Sequence, residues 1–146
     1  MASPQDKHAS DSSEQRSAEV EILAALEKRF GIRLDGHPEI AQQVNLDGFA
    51  DGPTPICVEV WAHQGKAIGG QPAKVMKDIC KLLLVEKLIG RPCRKIVAVC
   101  DDSALSFLQN SWQGRFADEF GIERIVVDVD KATRDKVRQA QERQYR

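Results

Sequence analysis

The amino-acid sequence predicts an α/β fold in which helices alternate with the strands of a central sheet. Residues 95–100 and 125–129 are near-continuous apolar runs, which is typical of strands buried on both faces. Between these runs, apolar side chains recur at helical spacing, at Leu105, Leu108, Trp112 and Phe116. A strand–helix–strand order implies a right-handed crossover between parallel strands. Together with a meander earlier in the chain, it predicts a mixed sheet of about five strands.

Composition is that of one globular domain. The chain has 146 residues, of which 42% are hydrophobic and 29% are charged. A formal net charge of −1 argues against a protein that holds duplex nucleic acid mainly by bulk electrostatics. No apolar run approaches the roughly 20 residues that a membrane span needs, and residues 1–15 lack the apolar core of a signal peptide. We therefore expect a cytoplasmic protein with no membrane segment.

The chain is expected to divide into three segments. Residues 1–16 are polar and predict a disordered tail, residues 17–130 hold the single α/β domain, and residues 131–146 form a basic C-terminal helix or tail. The first helix should begin at Ser13 or Ser17 and end at Phe30, before Gly31. Further elements are expected in this order: strands at 39–44, 44–50 and 56–62, a helix at 72–89, a strand at 95–100, a helix that ends near Phe120, and a strand at 125–129.

Acidic residues within apolar segments are the main chemical signal. Glu59 lies in the middle of the apolar strand at 56–62, and Asp47 lies on the preceding strand of the expected hairpin. A buried carboxylate is costly unless it is paired or bound to a metal ion. Glu19 lies on the apolar side of the first helix, where a first-turn acid favoured by the helix dipole is the alternative interpretation.

Other metal chemistry has little support. The four cysteines show no C-x-x-C spacing and no clustered histidines, which argues against a zinc site or a disulfide framework. The stretch Gln64-Gly65-Lys66 with Gly69-Gly70 is too short and too poorly spaced for a phosphate-binding loop.

This element order, with Asp47 and Glu59 on neighbouring strands, resembles the restriction-endonuclease-like PD-(D/E)XK superfamily. The run Ile56-Cys57-Val58-Glu59-Val60 is similar to the strand that carries the (D/E)-x-K half of the motif. The resemblance covers roughly residues 17–130 and implies a three-layer α/β/α core. It also implies that Asp47 and Glu59 bind Mg²⁺ or Mn²⁺, with Glu19 as an auxiliary ligand.

The sequence departs from the motif at the lysine, because residue 61 is Trp61. Tryptophan supplies no ammonium group, although it can stack on a base or pack in the core. A lysine from elsewhere would have to replace it, and the candidates are Lys74, which we prefer, Lys66 and Lys77. The alternative for Lys74 and Lys77 is a solvated surface of the helix at 72–89.

Two residues beyond the strand are candidates for substrate contact. His63 shares the alternation of Glu59 and Trp61 and could donate a hydrogen bond, and Gln64 lies beside it. The alternative is that both are ordinary polar residues at a strand end.

The functional hypothesis is a Mg²⁺-dependent hydrolase of nucleic-acid phosphodiesters, with Asp47, Glu59 and Lys74 as catalytic residues. The first alternative is a nuclease-like fold that has lost catalysis and serves as a binding or interaction module, with a homodimer or a protein partner left open. The second is an unrelated α/β domain that uses the crevice after Cys100, where Asp101 and Asp102 follow a strand.

Overall fold

The computed structural model describes residues 4–65 and 67–144 and confirms a mixed α/β fold with a five-stranded mixed central sheet. The described part of the chain contains five helices and seven strands. They are α1 (Pro4–Phe30), β1 (Asp35–Gly36), β2 (Glu39–Ala41), β3 (Val44–Asn45), β4 (Gly48–Ala50), β5 (Ile56–Trp61), α2 (Gln71–Ile89), β6 (Arg94–Val99), α3 (Asp102–Asn110), α4 (Trp112–Glu119), β7 (Ile122–Val126) and α5 (Lys131–Gln144).

The central sheet has the strand order β1-β4-β5-β6-β7. Strand β5 pairs with β6 in parallel over its full length, from Ile56 opposite Arg94 to Trp61 opposite Val99, and β6 pairs in parallel with β7. On its other side, β5 pairs antiparallel with β4 only as far as Gly48 opposite Val58. The last part of β5 therefore has no strand partner along that edge.

Helices cover both faces of the sheet, because side chains alternate along β5 and β6. One face of these strands packs against α1 and α5, with Ile22 and Leu26 fully buried in that layer. The other face packs against α2, α3 and α4, with Ile79 and Leu108 fully buried. The central strands are thus covered on both sides, as their continuous apolar runs predict.

Several predicted elements differ from the structure. The strand expected at 39–44 ends at Ala41, and the strand expected at 125–129 is β7 at Ile122–Val126. Helix α1 begins at Pro4, within the segment expected to be a disordered tail and earlier than Ser13 or Ser17. Proline is favoured at the first helical position, and residues 5–30 contain neither Gly nor Pro to interrupt the helix. Residues 1–3 of the expected tail lie outside the described residues.

The strand expected at 44–50 is divided. Strand β3 pairs with β2 in a separate two-stranded sheet, and β4 joins the central sheet. Asp47 lies in the bend just before β4 rather than within a strand. The division places its side chain at the uncovered edge of β5.

The helix expected to run to Phe120 is two helices, α3 and α4. Ser111 lies between them in an extended conformation, with φ −112° and ψ 169°, and its Oγ accepts a hydrogen bond from Gly114 N at 3.1 Å. Serine is a favoured N-cap because it satisfies such a free N–H. Apolar periodicity continues across the break, which is why it does not reveal the interruption.

The C-terminal helix α5 packs on α1. Val137 and Ala140 are 1% and 0% exposed, so these two small apolar side chains, three residues apart, are buried where the basic helix meets the domain. The charged side of α5 then faces away from this contact. No helix in the described part of the chain combines the length and apolar character that crossing a membrane requires.

We predict that Gly114→Ala destabilises the protein, because a Cβ at this position would collide with the backbone carbonyl of Leu108. Backbone cannot move aside as a flexible side chain can, so the free energy of unfolding should fall by roughly 1–3 kcal/mol. Urea denaturation measures this change. Gly36→Ala is the matched control, since nothing lies within 4 Å of a Cβ built there. Equal stability of the two variants would show that the α3–α4 junction is not tightly packed.

Candidate functional site

The site begins at the edge of β5 that β4 does not cover. The Val60 N–H points to this edge and donates a hydrogen bond to Asp47 Oδ2 at 2.7 Å. The Asp47 side chain is 19% exposed, so it is held firmly yet can still be reached from solvent. Because β4 stops at Gly48, a side chain can take the place of a strand partner here.

Glu59 lies next to this edge, on the side of the sheet that faces α2. Its residue exposure is 2%, although it is a carboxylic acid. Its Oε1 lies 2.9 Å from Lys81 Nζ, but the contact is not aligned as a hydrogen bond. This buried oxygen therefore keeps lone pairs that could bind another donor or a cation.

Helix α2 presents a line of polar side chains to this region. Gln71, Lys74, Asp78 and Lys81 follow one another at spacings of three and four residues, which places them on one side of a helix. Asp78 is 8% exposed and lies between the buried Val75 and Leu82 along the helix. Like Glu59, it is an acid within an apolar environment.

The surroundings of Glu59 favour its protonated form. The pKa of Glu59 is raised from 4.5 to about 9, mainly by burial and then by the nearby carboxyl of Asp47. The contact with Lys81 opposes this shift but is outweighed. Glu59 is thus expected to be protonated at neutral pH in the absence of a bound cation.

The pKa values of the other two acids, Asp78 and Glu19, are also raised. Burial raises the pKa of Asp78 to about 6, against the opposing charge of Lys81. The pKa of Glu19 is raised first by burial and then by the charge of Asp47, while Lys74 opposes the shift. Asp47 is thus a common electrostatic neighbour of Glu19, Glu59 and Asp78.

A small cavity lies beside this cluster, at the end of β5. Its volume is about 20 Å³, which leaves room for little more than one water molecule. Its lining comes from α1, α2, α5 and the end of β5, and consists of Glu19, Trp61, Ala62, His63, Gln71, Lys74 and Gln141. Any larger ligand must therefore bind at the surface of the site.

Trp61 is part of the hydrophobic core. It is 1% exposed, its Nε1 donates a hydrogen bond to Gln71 Oε1 at 2.8 Å, and its ring makes an edge contact with Phe107. His63 stacks on it with ring centroids 5.3 Å apart. The structure thus places Trp61 in the packing role that was the alternative to base stacking, and stacking would require the ring to become exposed.

His63 and Gln64 are both buried, at 6% and 4% exposure. The Gln64 backbone N–H donates to Gln141 Oε1 at 2.8 Å, and Gln141 Nε2 donates to Gln64 O at 2.9 Å. The Gln141 amide thereby imitates the pairing of a neighbouring strand. In this conformation Gln64 organises the end of β5 and does not face solvent.

The candidate lysines have different positions. Lys74 is exposed and its charge acts on Glu19, whereas Lys77 is exposed further along α2. Lys66 lies outside the described residues. The lysine that contacts the buried acid is Lys81, which was not among the candidate lysines.

Three residues of the site were missed. Asp78 could have been found by the argument used for Glu59, since it is an acid between apolar helix positions. Lys81 follows it at helical spacing. His37 had no such signal in the sequence. Its backbone N–H donates a hydrogen bond to Asp47 O at 3.2 Å, and its side-chain Nδ1 lies 3.9 Å from Asp47 Oδ1. Its φ is 55°.

The donor set suits a hard divalent cation only in part. Mg²⁺ is commonly bound through one or two carboxylates while it retains several waters, which Asp47 and Glu59 could provide. Among residues 4–65 and 67–144, however, no three His, Cys, Asp or Glu side chains are grouped so that they could hold a metal ion as they stand. A cation would therefore rely on the two carboxylates and on solvent or substrate oxygens.

No family model matches the chain, and no match is found among curated proteins or among solved structures.

We predict that Glu59→Gln makes the protein more stable near neutral pH. The folded-state pKa of Glu59 is raised from 4.5 to about 9, so its contribution to stability is present below pH 4.5 and is lost as the pH rises toward 9. Glutamine has nearly the same shape and does not ionise. The variant should exceed the wild type by about 1–3 kcal/mol near pH 8 and lose this advantage near pH 4.5, by urea denaturation at each pH.

Glu86→Gln is the control, because the contribution of Glu86 to stability should change with pH in the opposite direction. Burial raises the pKa of Glu86, but hydrogen bonds from Cys93 N and Lys95 outweigh it and the net shift is downward. Its stabilising contribution is therefore present above pH 4.5 and is lost as the pH falls through the lowered value. If Glu59→Gln were instead less stable than the wild type near pH 8, Glu59 would be an ionised structural partner of Lys81.

Proposed function

We propose that this protein is a divergent member of the restriction-endonuclease-like superfamily that hydrolyses nucleic-acid phosphodiesters with Mg²⁺ or Mn²⁺. The fold supports the proposal at a coarse level, since a mixed five-stranded sheet with helices on both faces suits a three-layer α/β/α core. The element order and the resemblance around Glu59 add to this support.

The observation that carries the proposal is the pairing of Asp47 with Glu59 at the uncovered edge of β5. Glu59 is 2% exposed, and at such a buried position an apolar residue would usually make the fold more stable than a carboxylate does. The carboxyl at this position instead lies near a second carboxyl, that of Asp47, whose charge raises the pKa of Glu59 and which solvent can reach. Two neighbouring acids of this kind could share one cation.

Each residue then has a definite part in the chemistry. Asp47, fixed by the Val60 N–H, and Glu59 would hold the cation, and Glu19 would act from α1 through its charge. A bound Mg²⁺ would neutralise the phosphate and make a coordinated water more acidic.

A lysine on α2 would replace the one missing at Trp61. Lys81, whose Nζ lies 2.9 Å from Glu59 Oε1, would have to leave that carboxylate when a cation binds. Lys74, exposed beside Glu19, is placed to contact the phosphate or the attacking water.

The second candidate function is a nuclease-like module without catalysis, which binds nucleic acid or a protein. The observation that favours it is the Lys81 ammonium, 2.9 Å from Glu59 Oε1, because a lysine can neutralise the buried acid permanently in place of a metal ion. The cavity of about 20 Å³ at the end of β5 also leaves little room for reacting groups.

We predict that Mn²⁺ and Mg²⁺ bind to the wild type and that Glu59→Gln and Asp47→Asn each abolish this binding, as measured by titration calorimetry. The variants remove one ligand charge while they keep the shape of the side chain. Asp51→Asn is the matched control, because Asp51 is an exposed acid in the same β4–β5 hairpin, paired with Arg91. If neither cation binds, even with an oligonucleotide present, the noncatalytic module is the better account.

We predict different effects for the two lysines in a cleavage assay with Mn²⁺. Lys74→Ala should slow cleavage by roughly 100-fold with unchanged Mn²⁺ affinity, because Lys74 would act on the phosphate or on water. Lys81→Met should tighten Mn²⁺ binding, because an ammonium that competes for Glu59 is removed. Lys87→Met, at an exposed position of the same helix, is the control. An unchanged rate in Lys74→Ala would direct the search to Lys77 and Lys66.

A further inference from the structure

A groove lies beside the carboxylate site, between α2 and the small β2–β3 hairpin. Its volume is about 290 Å³, at the lower end of the range for small-ligand sites. Its lining consists of two hairpin residues and four residues of α2, namely Gln43, Val44, Lys77, Cys80, Lys81 and Leu84.

The lining combines apolar surface with two positive charges. Leu84 is 46% exposed and Val44 is half-buried, so an apolar wall of the groove is open to solvent. Lys77 and Lys81 bring two ammonium groups to it, and no acidic residue lines it. An apolar surface with only positive charges at its margin suits a ligand that has a flat apolar part and an anionic part.

The groove is continuous with the candidate site through Lys81. This side chain lines the groove, and its Nζ also lies 2.9 Å from Glu59 Oε1. A chain-like ligand with a phosphate at Asp47 and Glu59 would therefore have its next unit beside Lys81.

The β2–β3 hairpin forms one wall of the groove. Two residues at the ends of this wall have a backbone conformation that is unusual for residues other than glycine. His37, before β2, has φ 55°, and Gln43, in the turn between β2 and β3, has φ 62°. Such conformations are more often found where a loop has a function than elsewhere. His37 contacts Asp47 and Gln43 lines the groove, so one strained residue lies at each end of this wall.

We propose that this groove binds one unpaired nucleotide of a single-stranded nucleic acid, with its base against Leu84 and Val44 and the two phosphates that flank it near Lys77 and Lys81. The inference rests on the proposed phosphodiester chemistry of the neighbouring carboxylates and names the form of its substrate. A base is flat and apolar on its faces, and in a single strand it is free to enter a pocket.

A duplex fits these features less well. Its bases are stacked inside, so binding would depend on many phosphate contacts, whereas this chain has a net charge of −1 and the groove offers two lysines. With two phosphate contacts, the slope of log K against log salt for a single strand should be about −1.4. Binding through the apolar wall should therefore show a shallow slope, whereas binding by many phosphate contacts would show a steep one.

Fluorescence anisotropy with a labelled short oligothymidylate, in Ca²⁺ and separately in EDTA, tests the proposal on the full chain. Leu84→Ser should weaken binding roughly tenfold, because apolar contact with a base is lost. Lys77→Ala should reduce the salt slope by about 0.7. Leu88→Ser and Lys87→Ala are matched controls at exposed α2 positions outside the groove, with Leu88 50% exposed, and should bind as the wild type does.

The proposal is overturned if the oligonucleotide does not bind in either buffer, if the same strand binds more tightly as a duplex, or if Leu84→Ser and Leu88→Ser bind alike. It is also overturned if the protein is a dimer by light scattering that Leu84→Ser dissociates, since a second copy would then occupy the groove. Binding in EDTA that Leu84→Ser weakens supports the groove even where calorimetry detects no metal, so failure of catalysis and failure of the groove give different results.

Discussion

The Glu59 carboxyl is buried beside Asp47, and the rest of the site is arranged around that contact. Burial alone would make an ionised acid unfavourable at this position, and the nearby negative charge of Asp47 adds to the penalty. Protonation of Glu59 and the Lys81 ammonium, whose Nζ lies 2.9 Å from Glu59 Oε1, both reduce this penalty.

The sheet makes this contact possible through a mismatch in strand length. Strand β5 continues to Trp61 along β6, but β4 begins at Gly48 and leaves the Val60 N–H unpaired. The bend at Asp47 supplies a carboxylate to that N–H, so one hydrogen bond both completes the edge of the sheet and fixes a candidate ligand. Helix α2, which packs on the same face as Glu59, then adds Asp78 and Lys81 from one side.

The sequence predicts the central part of this arrangement for clear physical reasons. Apolar runs specify β5 and β6, and an acid inside such a run is rare enough to identify Glu59. Lys81 was missed because surface lysines on helices are common, and only the fold shows that one of them reaches a buried acid. The pairing of Gln64 with Gln141 depends on residues 77 positions apart, which no local pattern can reveal. The break at Ser111 is decided by a cap and a close backbone approach at Gly114, neither of which changes the apolar periodicity.

The most direct test of the central claim is anomalous X-ray scattering from crystals of the wild type soaked in Mn²⁺. The account predicts a manganese peak within bonding distance of both the Asp47 and the Glu59 carboxylates, with the Lys81 ammonium displaced from Glu59. Glu59→Gln crystals treated in the same way should lack the peak. A wild-type crystal with manganese bound elsewhere, and with Lys81 still in contact with Glu59, would contradict the account and identify the pair as a structural feature of the core.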